Sequence, residues 1–381
     1  MTNRPSAPAL ATPLADRLAR MAAPMALSLP EGGAAGNKVR CVACGHRCLI
    51  PEGHAGVCKV RFNRGGVLFG PRGYVAGLQD DPIEKKPFYH ALPGTRALSF
   101  GMLGCDFHCG YCQNWVTSQA LRDEEAGAPA RPISAEEIVV RAKDAGALTV
   151  TSTYNEPLIT SEWAAEVFQL AKNAGLRASF VSNGNSTPEA IAYLKPHLDF
   201  CKIDLKGFDD ARYRKLGGTL RNVLEGIERV YRAGIWLEVL TLVVPGFNDS
   251  DAELRASAGF IRDLSPDIPW HVTAFHPDYR MTDPAATPAA SLLRAVRHGE
   301  SAGLRYVYAG NLPGAVGRYE DTRCPHCGVA LVERRGFAVR GYHLLDGRCP
   351  RCQADIPGRW HSPATLPRLE RSTRPRVTPL A

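Results

Sequence analysis

No stretch of the 381-residue chain approaches the roughly 20 consecutive apolar residues of a membrane-spanning helix, which speaks against an integral membrane protein. The Ala/Pro-rich start lacks the apolar core of a secretory signal, so a cytoplasmic protein is expected. There is no internal repeat beyond an alternation of strand-like and helix-like segments. The net charge of +8 is not gathered into one block. Much of the excess lies in "TNRPSAPALATPLADRLAR" (2–20) and "RLERSTRPR" (368–376), a pattern of solvated tails, with nucleic-acid contact as the other reading. With 45% hydrophobic and 22% charged residues, the composition is that of a globular protein with a large core plus small modules.

What the chain does have is cysteine, 12 residues in all. In a cytoplasmic protein these point to metals or catalysis before disulfides. Eleven of the 12 fall into three groups: Cys41, Cys44, Cys48 and Cys58; Cys105, Cys109 and Cys112; Cys324, Cys327, Cys349 and Cys352. Cys201 stands alone in an apolar run and reads as a small packing residue.

Residues 1–40 read as a mostly disordered arm, with a short helix near Leu14–Met21, and 41–94 as a four-cysteine module and lead-in. From 95 to 320, β-rich apolar runs at 96–103, 148–154, 177–183, 200–205, 236–244, 270–275 and 305–310 alternate with helical segments. Ser134 with Glu137, and Ser250 with Glu253, form capping boxes. Thr187-Pro188 and Thr287-Pro288 place a cap before a first-turn proline. This predicts an α/β fold with a parallel sheet, as a partial (β/α)6 TIM-type barrel, with a doubly wound open sheet as the competing topology. Residues 321–360 form a second cysteine module, and the Pro/Arg-rich 361–381 a flexible tail.

The third cysteine group, "CPHC" (324–327) and "CPRC" (349–352), has the spacing of a zinc ribbon, closed by four thiolates. Its neighbours Arg334, Arg335 and Arg340 leave nucleic-acid docking open. The first group suits zinc or an auxiliary iron–sulfur cluster. The middle group follows directly on the first strand of the alternation. Three thiolates on one loop can hold three irons of a [4Fe–4S] cluster and leave the fourth open to a ligand. The competing reading is zinc, with His108 as fourth ligand.

Around this triplet, "DDPIEKKPFYHALPG" (80–94), "GCDFHCGYCQNW" (104–115), "TYNEP" (153–157), "KIDLKGF" (202–208), "FHPDY" (275–279) and "YAGNLPG" (308–314) occur in order. Taken jointly, over roughly 41–360, they resemble the radical S-adenosylmethionine (radical SAM) component of the AmmeMemoRadiSam system. That group is related to the activating enzymes of glycyl-radical enzymes such as pyruvate formate-lyase.

The resemblance implies that Cys105, Cys109 and Cys112 ligate a [4Fe–4S] cluster whose open iron chelates S-adenosyl-L-methionine. Reductive cleavage then yields a 5′-deoxyadenosyl radical that abstracts hydrogen from a substrate, and the likeness to activating enzymes implies a protein substrate. Glu156 falls in the turn that contacts the methionine amino group, but Tyr154 and Asn155 replace the usual glycines. Ser182 and Asn183 of "SNGN" fit the ribose or carboxylate, a plain turn being the other reading. Asp204 and Lys206 resemble an Asp-x-Lys signature, two apart and so on one side of a strand, and an ion pair is the other reading. His276 reads as structural in preference to substrate-contacting. The implied partners are an electron donor such as flavodoxin or ferredoxin, and Memo-like and AMMECR-like proteins. Two rival functions stay open: a radical SAM enzyme that modifies RNA, and a zinc-binding adaptor without catalysis.

Overall fold

The computed structural model describes residues 14–30, 37–361 and 376–377. Its centre is a nine-stranded sheet. Eight strands are β1 (Gly77–Pro82), β2 (Arg96–Gly101), β3 (Thr149–Ser152), β4 (Arg177–Ser182), β5 (Phe200–Asp204), β6 (Trp236–Val243), β7 (Trp270–Ala274) and β8 (Val307–Gly310). Strands β2 to β8 are parallel and lie in strictly sequential order. Strand β1 is antiparallel to β2, and Arg376–Val377 pairs with the outer edge of β1.

Between the parallel strands run α1 (Ala135–Asp144), α2 (Ser161–Asn173), α3 (Pro188–Leu194), α4 (Asp210–Leu216) with α5 (Leu220–Arg232), α6 (Asp251–Leu264) and α7 (Ala289–Ala302). A doubly wound sheet reverses its strand order at one point, and this one does not. With crossovers of one hand, sequential order keeps the helices on one face, and the sheet curls around the other. The six crossovers answer to the partial (β/α)6 barrel, and all seven expected runs are strands.

Period-two alternation sorts each strand between the two faces. On β5, Cys201 and Ile203 enter the helix-side core, while Lys202 and Asp204 line an inner cavity. On β4, Phe180 packs beside Phe168 of α2 at 5.6 Å, and Val181 faces the cavity. Burying each such large apolar side chain contributes about 1.5–3 kcal/mol. Cys201, 3% exposed, is the packing residue expected.

The helix starts hold with corrections. Ser134, Thr187 and Ser250 each accept the expected N-terminal N–H. The boxes are half-formed, because Glu137 turns to Arg141 and Glu253 accepts Phe208 N–H. Thr287 does not cap α7, which begins at Ala289 with Pro288 as N-cap. Its hydroxyl donates to Val243 O and accepts from Phe275 N–H, tying together two strand ends.

The arm expected over 1–40 is partly ordered structure. Leu14–Arg20 is helical, Ala22–Pro24 pairs with Val67–Pro71, and Ser28–Pro30 pairs with Val39–Cys41. The four-cysteine module therefore draws on residues before 41. The rest of the arm (1–13 and 31–36), and the tail at 362–375 and 378–381, lie outside the described residues. Among the described residues no helix is long and apolar enough to cross a membrane.

The motif at 80–94 runs across the N-terminal ends of the parallel strands, where Phe88 packs on Phe200. Asp80 pairs with Arg96 and Asp81 with Lys85 and Lys86. Buried Glu238 of β6 accepts the N–H groups of Tyr89 and His90, both at 2.9 Å. Tyr89 then stacks edge-on against Tyr308 of β8 at 4.8 Å.

Candidate active site

The triplet loop leaves the C-terminal end of β2, where parallel barrels build their sites. Cys109 is buried and Cys105 and Cys112 half-buried. Phe107 N–H donates to Cys105 Sγ at 3.3 Å, and Ser118 Oγ lies 3.3 Å from Cys112 Sγ. Burial raises the thiol pKa at all three positions; at Cys109 it prevails over the opposing pull of Lys206 and reaches about 12. Such thiols ionise with the binding of a metal rather than before it. His108 turns away from the set to pack on Gly217, so it does not complete a zinc site with the triplet.

Asp106, which sequence reasoning passed over, organises the loop from behind. Its Oδ1 accepts Asn183 Nδ2 at 2.7 Å and its Oδ2 accepts Asn185 Nδ2 at 2.9 Å. His46 of the first cysteine module reaches Asp106 O at 3.2 Å. Gly45 N–H donates to Asn185 O at 2.7 Å, and Arg47 forms a bidentate pair with Glu189. The first module thus packs against the triplet loop; the only signal in the sequence was an acid directly after the first triplet cysteine.

Glu156, Ser182 and Asn183 do converge, but on one another. Glu156 accepts Ser182 Oγ and Asn183 N–H, both at 2.7 Å, and caps Leu158 N–H. Burial, with Asp106 second, raises the Glu156 carboxyl well above its usual range. These three form a buried network behind the loop and are not among the residues lining the inner cavity. Tyr154, standing for a glycine, takes the left-handed φ of 70° that a glycine would. Gly101 leaves room for it, since a Cβ there would lie 2.7 Å from Tyr154 Cβ. The Tyr154 hydroxyl accepts Lys86 Nζ and donates to Asp81, both at 3.1 Å.

The inner cavity, about 350 Å³, is where the remaining site residues meet. Cys109 and Cys112 open onto it, as do Asp204, Lys206 and His271. Lys206 Nζ lies 3.2 Å from Asp204, and Lys202, missed in the sequence although it shares the period-two face, contacts the other oxygen. Burial works to raise the Asp204 carboxyl, but Lys202 and Lys206 outweigh it and hold the group below its usual range. His276 is exposed, and its Nε2 lies 2.9 Å from Gln113 Nε2.

Cys324, Cys327, Cys349 and Cys352 have ligand atoms within 4.8 Å of one another, and among the described residues no other three such atoms are gathered so closely. Zinc–sulfur bonds of about 2.3 Å would draw four thiolates to that spacing. The wider triplet suits a group larger than one ion, and its all-sulfur donor set suits iron–sulfur chemistry. Arg334, expected at the ribbon surface, is buried. It donates to Tyr89 O and Thr322 Oγ1, both at 2.8 Å, and its guanidinium lies 4.2 Å from the Tyr89 ring centre. Arg335 and Arg340 are exposed.

Comparison with known proteins gives the same direction. The sequence profile of the Radical SAM superfamily matches residues 101–257. An uncharacterized protein of Methanocaldococcus jannaschii is 39% identical over 83% of this chain and 93% of its own length. The pyruvate formate-lyase 1-activating enzyme of Escherichia coli is 25% identical over 45% of this chain and 70% of its own. Among solved structures, a radical SAM methyltransferase from Sphaerobacter thermophilus covers 60% of this chain and 71% of its own, with 17% identity and a TM-score of 0.44. With the triplet at the end of the first parallel strand and the profile beginning at that strand's last residue, the chain belongs to the radical SAM superfamily.

Proposed function

We propose that this chain is a radical SAM enzyme of the activating-enzyme type, the radical SAM component of an AmmeMemoRadiSam system. Cys105, Cys109 and Cys112 would hold a [4Fe–4S] cluster with one iron left to S-adenosyl-L-methionine. When bound, this pair supplies one-electron cleavage of the sulfonium to a 5′-deoxyadenosyl radical for hydrogen abstraction. The carrying observation is that Cys109 and Cys112 open onto the same cavity as Asp204 and Lys206.

The protein's own residues have three tasks in this reading. Phe107 N–H and Ser118 stabilise the thiolates by hydrogen bonding to sulfur. Lys206, charged and held by Asp204, offsets negative charge beside Cys109. The ring of Tyr154 and the curled sheet limit access of water. Glu156, Ser182 and Asn183 serve S-adenosylmethionine by fixing the loop that carries the thiols.

The ribbon thiols would hold structural zinc, and the first set zinc or an auxiliary cluster. Flavodoxin or ferredoxin is the proposed electron source, in the cytoplasm, and a protein is the proposed substrate class, with Memo-like and AMMECR-like proteins as functional associates. Anaerobic reconstitution with iron and sulfide, then reduction with S-adenosylmethionine, tests the reading. 5′-Deoxyadenosine is expected from the wild type and is lost in Cys105→Ala, Cys109→Ala and Cys112→Ala. Its absence from a fully reconstituted wild type overturns the proposal.

A further inference from the structure

The C-terminal ribbon contributes more than a folded appendage. Its strands are β9 (Thr322–Arg323), β10 (Ala330–Arg335) and β11 (Ala338–Tyr342). The tip between β10 and β11 places Phe337 on the wall of the inner cavity. Phe337 also lines a second cavity of about 370 Å³, between the loops after β7 and β8. The two spaces share Tyr89, Gln113, Gly310, Asn311 and Phe337, so they adjoin beside the Phe337 ring.

The tip is held in place by one carboxylate. Buried Glu320 accepts Gly314 N–H through Oε1 and Gly336 N–H through Oε2, at 2.5 and 2.7 Å. Gly314 belongs to the loop after β8 and Gly336 to the hairpin, so Glu320 ties one wall of the outer space to the other. The walls are already close, because a Cβ on Gly336 would lie 3.2 Å from Pro313. Phe275, Leu312 and Pro313 make the outer lining largely apolar, and its one ionisable acid, Glu320, faces no lysine or arginine among the lining residues.

We propose that the outer cavity is the substrate's entrance, that Phe337 sets the width of what passes, and that the group admitted is an uncharged peptide segment rather than a phosphate-bearing one. The inference rests on the inner cavity being the reaction chamber. An apolar passage whose lining carries one buried carboxylate, no lysine or arginine, and His276 as its single basic side chain favours a neutral, slender segment over an anion. Glu320 acts through the hairpin and is a positioning residue.

The test reads thiol access in the full chain before cluster reconstitution, so it does not depend on radical chemistry. Cys112 is alkylated with a small and a bulky maleimide and the product mapped by mass spectrometry, for wild type, Phe337→Leu, Phe337→Ala and Phe337→Trp. The small-to-bulky rate ratio at Cys112 should fall about tenfold in Phe337→Ala, less in Phe337→Leu, and rise in Phe337→Trp. Glu320→Gln, which replaces one acceptor with a donor facing an N–H, should act in the direction of Phe337→Ala. Ratios at Cys44 and Cys58, and zinc content, should stay constant. Of two small maleimides matched in size, the neutral one should outrun the sulfonated one at Cys112. An unchanged ratio in the variants that retain zinc overturns the gate, and faster reaction of the sulfonated reagent overturns the neutral segment. Failure of the radical SAM reading shows separately, as absence of 5′-deoxyadenosine.

Discussion

Asn183 donates its side-chain amide to Asp106 at 2.7 Å, joining the end of β4 to the residue after the first triplet cysteine. Asp106→Ala would leave this amide and that of Asn185 without their acceptor inside the protein. The expected loss is about 2 kcal/mol of stability, in the range for buried donors left unpaired. Iron uptake on reconstitution should drop while the metal held by Cys324, Cys327, Cys349 and Cys352 stays constant, and Asp106→Asn should recover part of the uptake. Metal analysis per chain, alongside denaturant titration, checks both.

Asp204 sits between two largely buried lysines, Lys202 and Lys206. Asp204→Ala strands both charges and should cost about 3 kcal/mol, the low end for a broken buried pair because the carboxylate keeps some solvent contact. Adding Lys202→Met should return part of that loss. A double-mutant cycle measured in urea shows the coupling, and strict additivity would refute it.

The junction between barrel and ribbon carries a pH dependence. The His90 Nδ1–H donates to Pro357 O at 2.7 Å and Nε2 lies 2.6 Å from the Tyr308 hydroxyl, a pair of contacts that the neutral ring satisfies. Burial pushes its pKa from 6.5 down to about 4. The unfolded chain takes up this proton below 6.5 and the folded chain only near 4, so stability is full above that window and falls as pH drops through it. This group alone should make the protein about 2 kcal/mol less stable at pH 5 than at pH 7.5. His90→Gln should remove that share of the acid loss, read as a smaller fall in melting temperature between the two pH values.

Cys201 supplies the negative control. It is buried on the helix side of β5, away from the cavity-facing positions. Cys201→Ala should leave the metal contents of the triplet and of the C-terminal cysteine group unchanged and cost about 1 kcal/mol for the small void. Loss of either metal would place this thiol in a site.

Much of this architecture was legible because it is encoded locally. Each of the seven strand runs is a short apolar stretch bounded by turn or cap residues, and the cysteine groups declare themselves by spacing. What stayed hidden depends on residues far apart in the chain. Arg334 reads as a surface cation until Tyr89, 245 positions away, is seen to accept its hydrogen bond. Thr287 has the form of a helix cap, and only the partner strand end at Val243 reveals its other use. Glu156 was placed at the right strand end, but which way its oxygens turn is decided by Ser182 and Asn183 on the neighbouring strand. Residues before 41 looked too rich in Ala and Pro to order, yet their strands are completed by partners at 39–41 and 67–71.

The pairing of Arg376–Val377 with Gln79–Asp80 has a consequence for self-association. An exposed sheet margin offers a row of free amides and carbonyls to any passing chain. Here the molecule occupies part of that margin with its own backbone. Proteolysis ahead of 376 would reopen the template, and clipped material would be the fraction prone to stack into filaments.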